Sequence, residues 1–155
     1  PARRHQTLRA SLDWSVSLLD ARERALLRRL PVFSGGWTLE AAEAVCADGA
    51  VAAGEVAATL AGLVSRSLVR HRPPDDGRSG EARYGLLETV RQMVATLAPP
   101  AEAAALRERH LAHFLAVAEA AEAGLTGPDQ GAWLDRLEAE RDNLRAATDH
   151  GIAQG

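Results

Sequence analysis

Lysine is absent from the 155-residue sequence, so all 18 basic residues are arginines. A Walker-type phosphate loop requires a lysine, and Schiff-base catalysis requires a free amine, so the chain can supply neither kind of chemistry. The formal net charge of −3 also argues against a surface that attracts nucleic acid in general.

Cysteine and long apolar runs are equally scarce. The single Cys46 cannot form an intrachain disulfide, which is typical of a protein from a reducing cytoplasm. No stretch approaches the roughly 18 consecutive apolar residues of a transmembrane helix, and the N-terminus leads into no signal-peptide core. We therefore expect a cytoplasmic protein that contacts no membrane, and its abrupt ends indicate a piece of a longer polypeptide.

Aromatic residues make up only 4% of the sequence, so the core must be built mainly from Leu, Val and Ala. Alanine-rich stretches at 101–105 and 116–123 favour helix, because alanine has the highest intrinsic helix propensity. Trp14 and Trp133 belong to apolar helical stripes and are expected in the core. Trp37 follows a Gly-Gly turn, and the surrounding sequence does not predict whether its side chain lies in the core or on the surface.

Hydrophobic spacing predicts four short helices in the first half of the chain, over about residues 8–19, 21–30, 39–46 and 55–66. Thr7 and Thr38 are the expected N-caps of the first and third helices. Asp20 and Glu23 have the spacing of a capping box at the start of the second, and Pro31 ends that helix.

A β-hairpin is predicted after the fourth helix. Its strands cover residues 67–72 and 82–86, and the Pro- and Gly-rich stretch between them, 73–80, has the composition of a turn. Four helices followed by a hairpin is the element order of a winged helix-turn-helix, in which the loop between the strands is the wing. A fifth helix begins near Leu87 and ends before Pro99-Pro100.

Two longer helices are predicted beyond these prolines, over residues 101–123 and 129–150. Because their connection is short, they are expected to pack as an antiparallel helical hairpin. The predicted fold is therefore mainly α: a winged helix-turn-helix with a small β-hairpin wing at 1–98, then a two-helix antiparallel hairpin at 99–155. A lone hairpin exposes one apolar side, as does the terminal unit of a repeat array.

Three separated blocks of sequence carry a family resemblance. They lie at 5–46, at 84–94 (YGLLETVRQMV) and at 133–147 (WLDRLEAERDNLRAA). In this order they resemble the region after the nucleotide-binding core in STAND ATPases of the LuxR-type and AfsR-like bacterial transcriptional regulators. The resemblance implies a non-catalytic relay module. Its winged helix would pack on the nucleotide-binding domain of the same polypeptide and connect it to tetratricopeptide-like repeats that sense a partner.

The resemblance also implies an interdomain surface at the start of the fifth helix. Eukaryotic relatives of the family carry Met-His-Asp there, and the matching residues here are Leu86, Leu87 and Glu88, so the acidic residue is kept and the histidine is absent. We expect these three residues and Arg91 to face the ATPase core of the parent protein. The chain itself is expected to hold no cofactor.

Enzymatic and metal sites have little support in the sequence. His110 and His113 could share one helix face, but a catalytic zinc site needs three protein ligands and a structural site needs four. No Cys or carboxylate has the spacing to complete such a set. We therefore expect ordinary histidines, no metal, no catalytic residue and no enzyme.

The alternative function is DNA binding by the winged helix. Base reading requires Arg, Lys, Asn or Gln on the helix that enters the major groove, and the fourth helix offers only Arg66, at its far end. The wing adds Arg70, Arg72 and Arg78 as candidate phosphate contacts, together with two aspartates. Since the outer face of the fourth helix is small and apolar, the relay function is preferred, and direct DNA binding by this segment is not expected.

Overall fold

The computed structural model describes residues 2–74 and 80–155, which form eight α-helices and three short β-strands. The helices are α1 (Ala2–Ser17), α2 (Ala21–Arg29), α3 (Leu39–Cys46), α4 (Val56–Ser65), α5 (Glu88–Val94), α6 (Pro100–Gly124), α7 (Gln130–Ala139) and α8 (Arg141–Gln154). The strands are β1 (Trp37–Thr38), β2 (Arg70–Arg72) and β3 (Arg83–Gly85). The predicted fold class is confirmed: a winged helix with a small antiparallel sheet, followed by helices.

The predicted starts of α2 and α3 are confirmed. The Asp20 carboxylate accepts from the Glu23 backbone N–H at 2.8 Å, and the Glu23 carboxylate accepts from the Asp20 N–H at 3.2 Å, which completes the capping box. The Thr38 hydroxyl accepts from the Ala41 N–H. Both caps supply acceptors for N–H groups that have no partner inside the first turn of a helix. Both α2 and α3 pack against α4.

The wing strands are confirmed, although they are shorter than predicted. β3 lies in the centre of the sheet and pairs antiparallel with both β2 and β1. The strand β1 was not predicted, because Thr38 reads as a helix cap. Within β1, Trp37 lies opposite Tyr84 of β3. Most of the predicted turn, residues 75–79, lies outside the described residues.

The Gly35-Gly36 turn before β1 can be made only by glycine. Both residues have positive φ, 72° and 92°, a conformation that costs other residues energy. The space is closed as well. A Cβ on Gly35 would lie 2.6 Å from a carboxylate oxygen of Asp142, and one on Gly36 would lie 2.7 Å from the carbonyl oxygen of Tyr84. The turn is therefore wedged between β3 and the start of α8.

Trp37 is the centre of the core, a place that its sequence pattern did not assign. Its side chain is fully buried and stacks on Phe33 and Tyr84, with ring centroids 5.4 and 6.4 Å apart. Phe33 in turn meets the edge of Phe114 on α6, with centroids 6.5 Å apart. Aromatic contacts of this kind add to the free energy of burial. One row of rings therefore runs from the sheet into the C-terminal helices.

The prediction for α1 was wrong in two respects. The helix begins at Ala2, and the hydroxyl of Thr7 donates to the Arg3 carbonyl within the helix, so Thr7 is not its N-cap. Trp14 was expected in the core but is 68% exposed, because the rest of the described chain covers α1 only partly, at positions such as Leu12 and Val16. An apolar stripe on a helix is buried only where another element covers it.

The prediction of one helix over residues 129–150 was also wrong. The backbone leaves the helical path at Glu140, where φ is −97° and ψ is 7°, and this break separates α7 from α8. α8 is the main packing partner of α6. Trp133 on α7 is only half-buried, where its indole packs on the backbone of Gly124 and carries the Arg136 guanidinium 5.2 Å from its ring centroid.

A buried arginine ties the start of α6 to the winged helix. Arg29 is almost fully buried and donates to Glu102 at 2.6 Å, to the Cys46 carbonyl at 2.8 Å and to Asp48 at 2.9 Å. Arg28 donates to the other oxygen of Glu102 at 2.8 Å. The hydrophobic core likewise runs without interruption from α2 into α6 and α8. The division into domains at residues 98 and 99 stays a prediction.

Replacing Trp37 tests the centre of the core. We expect Trp37→Ala to lower the free energy of unfolding by about 3–5 kcal/mol, the usual cost of truncating a buried large aromatic side chain. Trp14→Ala is the matched control and should change it by less than about 0.5 kcal/mol, because its ring is exposed. Urea denaturation followed by circular dichroism measures both. Equal losses from the two variants would contradict this account of the core.

Acid should weaken the Arg29–Glu102 contact. Hydrogen bonds from Arg28 hold the pKa of Glu102 below its usual 4.5 against the opposing effect of burial, and Arg29 adds to the lowering. As pH falls, the unfolded chain takes up this proton first, so stability is retained above about pH 5 and lost as pH falls through the lowered pKa.

We expect Glu102→Gln to be less stable than the natural chain at neutral pH and to lose less stability between about pH 5.5 and pH 3.5. Glu119→Gln, an exposed change on the same helix, should keep the natural slope. Urea denaturation at a series of pH values measures these slopes. Identical slopes for all three proteins would count against the ion pair as a source of stability.

Candidate functional site

The outer face of α4 offers almost no chemistry for reading bases. Its exposed residues are Ala57, Ala58, Ala61 and Ser65, while Val56, Thr59, Leu60 and Leu63 face the core. Of these exposed side chains, only the Ser65 hydroxyl can form hydrogen bonds, and it donates to the Gly62 carbonyl at 2.9 Å. A recognition helix normally projects Arg, Lys, Asn or Gln toward the major groove. This face is instead smooth and permits close approach of another surface.

At each end of α4 an arginine forms an ion pair with a glutamate. Arg66, the candidate base contact after its last turn, is 3.2 Å from the carboxylate of Glu23. Glu23 is fixed by the capping box, so this ion pair has one rigid partner. At the other end, Arg22 lies 3.3 Å from Glu55. The ends of α4 are therefore not a cationic surface for phosphates.

The wing supplies exposed cationic side chains. Arg70 and Arg72 both lie on β2, at the edge of the sheet, and both are exposed. Arg78, the third candidate of the wing, lies outside the described residues. The sequence therefore placed two of the wing candidates correctly on a strand.

The four candidate relay residues lie next to one another, but only some of their side chains are exposed and could contact another domain. Leu86 packs against the core, and Leu87 and Glu88 are exposed. Arg91 donates to the carbonyls of Pro31 and Phe33 at 2.8 and 2.7 Å, so its guanidinium holds the segment before the Gly35-Gly36 turn in place. That these four residues face an ATPase core stays a prediction.

A groove of about 610 Å³ brings the relay and wing candidates together. We call it the sheet groove. It is lined by Gly35, Gly36, Arg70, His71, Arg72, Arg83, Tyr84, Gly85, Leu86, Glu88 and Arg91. A second groove, of about 510 Å³, lies between the base of the wing and α7, and Trp133 and Arg136 are among the residues that line it.

A buried polar cluster, missed by the sequence reasoning, lies behind the sheet groove. We call it the polar junction: Arg83, His110, Glu140 and Asn143. The Arg83 guanidinium donates to both oxygens of Glu140, at 2.8 and 3.4 Å; the Glu140 side chain is almost fully buried and that of Arg83 is largely buried. The Asn143 amide donates to Glu140 and, at 2.8 Å, to the Gly36 carbonyl. Its oxygen accepts from the Ser34 N–H at 2.7 Å.

The polar junction explains the break between α7 and α8. The altered backbone at Glu140 lies at the point where its carboxylate and the Asn143 amide turn toward the winged helix. Buried polar groups of this kind need partners, and here each one has them. The signal in the sequence was the run Glu-Arg-Asp-Asn within a predicted helix, since Asn and Asp favour helix starts over helix interiors.

The histidines of α6 serve packing. His110 contacts the Asn143 oxygen at 3.2 Å and packs against the rings of Phe33 and Phe114. Burial lowers its pKa despite the opposing hydrogen bond to Asn143, so the ring is neutral at pH 7. Within residues 2–74 and 80–155, no group of three or more His, Cys, Asp or Glu is arranged to hold a metal ion. Burial also raises the pKa of Cys46 to about 12, which makes that thiol unreactive.

In the part of the chain that the structure describes, no helix is both long and apolar enough to cross a membrane.

Comparison with known proteins gives relatives that are much longer than this chain. "Putative HTH-type transcriptional regulator Rv0890c" of Mycobacterium tuberculosis and "Putative HTH-type transcriptional regulator Mb0914c" of Mycobacterium bovis are each 41% identical over 147 residues, 93% of this chain. "Uncharacterized protein Rv0894" of Mycobacterium tuberculosis is 37% identical over 127 residues, which is 81% of this chain and 31% of its own length. The chain spans only 16% of the length of the two regulators.

No solved structure shows significant similarity to the chain. The family model described as "Winged helix-turn-helix domain" matches residues 19–97, which include α2 to α5 and the whole sheet. This match extends over half of the sequence and agrees with the observed order of helices and strands. The chain therefore belongs to the winged helix-turn-helix domain family.

Proposed function

We propose that the chain is a non-catalytic relay module of a multidomain, cytoplasmic transcriptional regulator of the STAND ATPase type, similar to LuxR-type and AfsR-like proteins. In this proposal the winged helix packs on the nucleotide-binding core of the same polypeptide, and α6 to α8 begin a tetratricopeptide-like array. The observation that carries it is the exposed face of α4, where Ala57, Ala58 and Ala61 replace the side chains that read bases.

A face of small apolar residues supports packing on protein. Methyl groups let two backbones approach closely, and they lose little side-chain entropy when they are covered. Burial of a charged recognition helix would cost free energy unless each charge found a partner. The ion pair between Arg66 and Glu23 reduces that cost at the end of α4.

The polar junction supports the relay part of the proposal. It links the central strand of the wing, through Arg83, to the break between α7 and α8, through Glu140 and Asn143. Because a buried ion pair is costly to separate, a displacement of β3 is transmitted to the helices instead of being absorbed. A change at the nucleotide-binding core would in this way reach the repeat array.

Leu87 and Glu88 are the relay candidates best suited to contact the core. Both are exposed, and Glu88 is bound only by the flexible Gln92 side chain, at 3.3 Å, among the described residues. Arg91 is needed for the fold through its bonds to Pro31 and Phe33. A charge reversal at Glu88 therefore tests the contact with the nucleotide-binding core without breaking the bonds of Arg91. The measurement is the rate of nucleotide exchange in the parent protein.

DNA binding is the second candidate, and the comparisons favour it more directly than the relay. The chain belongs to a winged helix-turn-helix family, and two relatives are named HTH-type transcriptional regulators. The structure adds the exposed Arg70 and Arg72 on the wing. These side chains suit phosphate contacts, which position a protein on a duplex without reading its sequence.

Duplex binding separates the two candidates. We expect dissociation constants weaker than ~10⁻⁶ M for random and promoter duplexes near physiological salt, because the exposed face of α4 carries no cation. Fluorescence anisotropy with labelled duplexes measures this. Tighter binding that is lost in Arg70→Glu/Arg72→Glu and retained in Arg107→Glu/Arg145→Glu would establish the second candidate instead.

Breaking the polar junction tests the relay. We expect Glu140→Gln to lower the free energy of unfolding by about 3 kcal/mol, because it leaves the Arg83 charge buried without its counter-ion. Glu138→Gln, whose ion pair with Arg141 is exposed, should change it by less than about 0.5 kcal/mol.

Hydrogen exchange provides the readout that distinguishes coupling from stability alone. With the chain still folded, Glu140→Gln should speed exchange in both β3 and α8, since the junction joins them. Glu138→Gln should leave both segments unchanged. Faster exchange confined to α7 and α8, with β3 as slow as before, would refute the junction as a relay.

A further inference from the structure

The sheet groove carries an excess of positive charge. Arg70 and Arg72 are exposed at its rim, and neither has a carboxylate partner within residues 2–74 and 80–155. Arg91 donates two hydrogen bonds to backbone carbonyls, which do not cancel its charge. Arg83 is the exception, because Glu140 neutralises it. Among the described residues that line the groove, Glu88 is the only acidic one.

The shape of the sheet groove suits an extended chain. Three glycines line it, and a Cβ on Gly85 would meet nothing within 4 Å, so the backbone is open to approach there. The rings of Tyr84 and His71, with centroids 5.1 Å apart, add an aromatic part to the lining. A volume of about 610 Å³ lies in the range of sites that hold small ligands or a few residues of a peptide.

A DNA duplex seated on α4 would not fill this groove. In a helix-turn-helix complex the second helix of the motif enters the major groove, and no residue of α4 lines the sheet groove. Leu86, Glu88 and Arg91 also line the groove, and under the proposed function these residues face another protein domain. Protein is therefore the better match for its occupant.

We propose that the sheet groove binds a short acidic segment of a protein partner, whose carboxylates pair with Arg70 and Arg72. Arginine forms bidentate hydrogen bonds with carboxylates, and such pairs are stronger than neutral hydrogen bonds. This inference rests on the proposed function, because it supplies the chemistry by which the winged helix would dock on a neighbouring protein domain. The partner must present Asp or Glu in an extended segment.

The test is a nuclear magnetic resonance titration of the full 155-residue chain with a synthetic decapeptide of alternating Glu and Ser at low salt. We expect the largest shifts at the amides of Gly35, Gly36, His71 and Gly85. Arg70→Glu/Arg72→Glu should weaken binding at least about tenfold, because it reverses both charges at the rim. Arg107→Glu/Arg145→Glu makes the same change in net charge at exposed sites outside the groove and should weaken it less than about twofold.

Inorganic pyrophosphate and a DNA duplex are two further probes, and they show whether the inference or the proposed function has failed. Inorganic pyrophosphate that shifts the same amides at lower concentration than the peptide would overturn the inference in favour of a phosphate ligand. Equal losses from the two double variants, or shifts outside the groove, would overturn it outright. A duplex that binds through α4 while the peptide still occupies the groove would refute the proposed function and leave the acidic-segment site standing.

Discussion

The contact of Asn143 with the Ser34–Gly36 segment joins parts of the chain more than a hundred residues apart. One amide group satisfies the Ser34 N–H and the Gly36 carbonyl, and the same residue touches His110 and Glu140. The turn can reach Asn143 only because Gly35 and Gly36 have no side chains. The placement of β1, and with it the burial of Trp37, depends on this fit between a tight turn and the start of α8.

Features fixed by neighbours in sequence could be predicted, and features fixed by distant contacts could not. The capping box at Asp20 and the cap at Thr38 depend on residues three positions apart, and both were predicted correctly. The exposure of Trp14 depends on what covers α1, and the central position of Trp37 depends on its pairing with Tyr84 in β3. Periodicity reveals that a face is apolar, but not whether another element packs on it.

The features of the candidate site also divide into those fixed by local sequence, which could be predicted, and those fixed by distant contacts, which could not. The positions of Arg70 and Arg72 on a wing strand followed from local turn and strand signals. The sheet groove, which unites them with Leu86 and Glu88, exists only because β3 pairs with two strands and α5 begins beside it. The bonds of Arg91 to two backbone carbonyls could not be foreseen, since nothing in a sequence marks a carbonyl as an acceptor for a distant side chain.

The arginines of β2 have one more consequence, which concerns self-association. β2 pairs with β3 on one side and forms an edge of the sheet, where backbone N–H and C=O groups can be paired by a strand from another molecule. Two like charges on a three-residue strand oppose that pairing, because a second copy would bring the same charges alongside. Replacement of Arg70 and Arg72 by neutral or β-branched residues would therefore remove this repulsion. It would favour pairing of β2 with the same strand of a second copy of the chain.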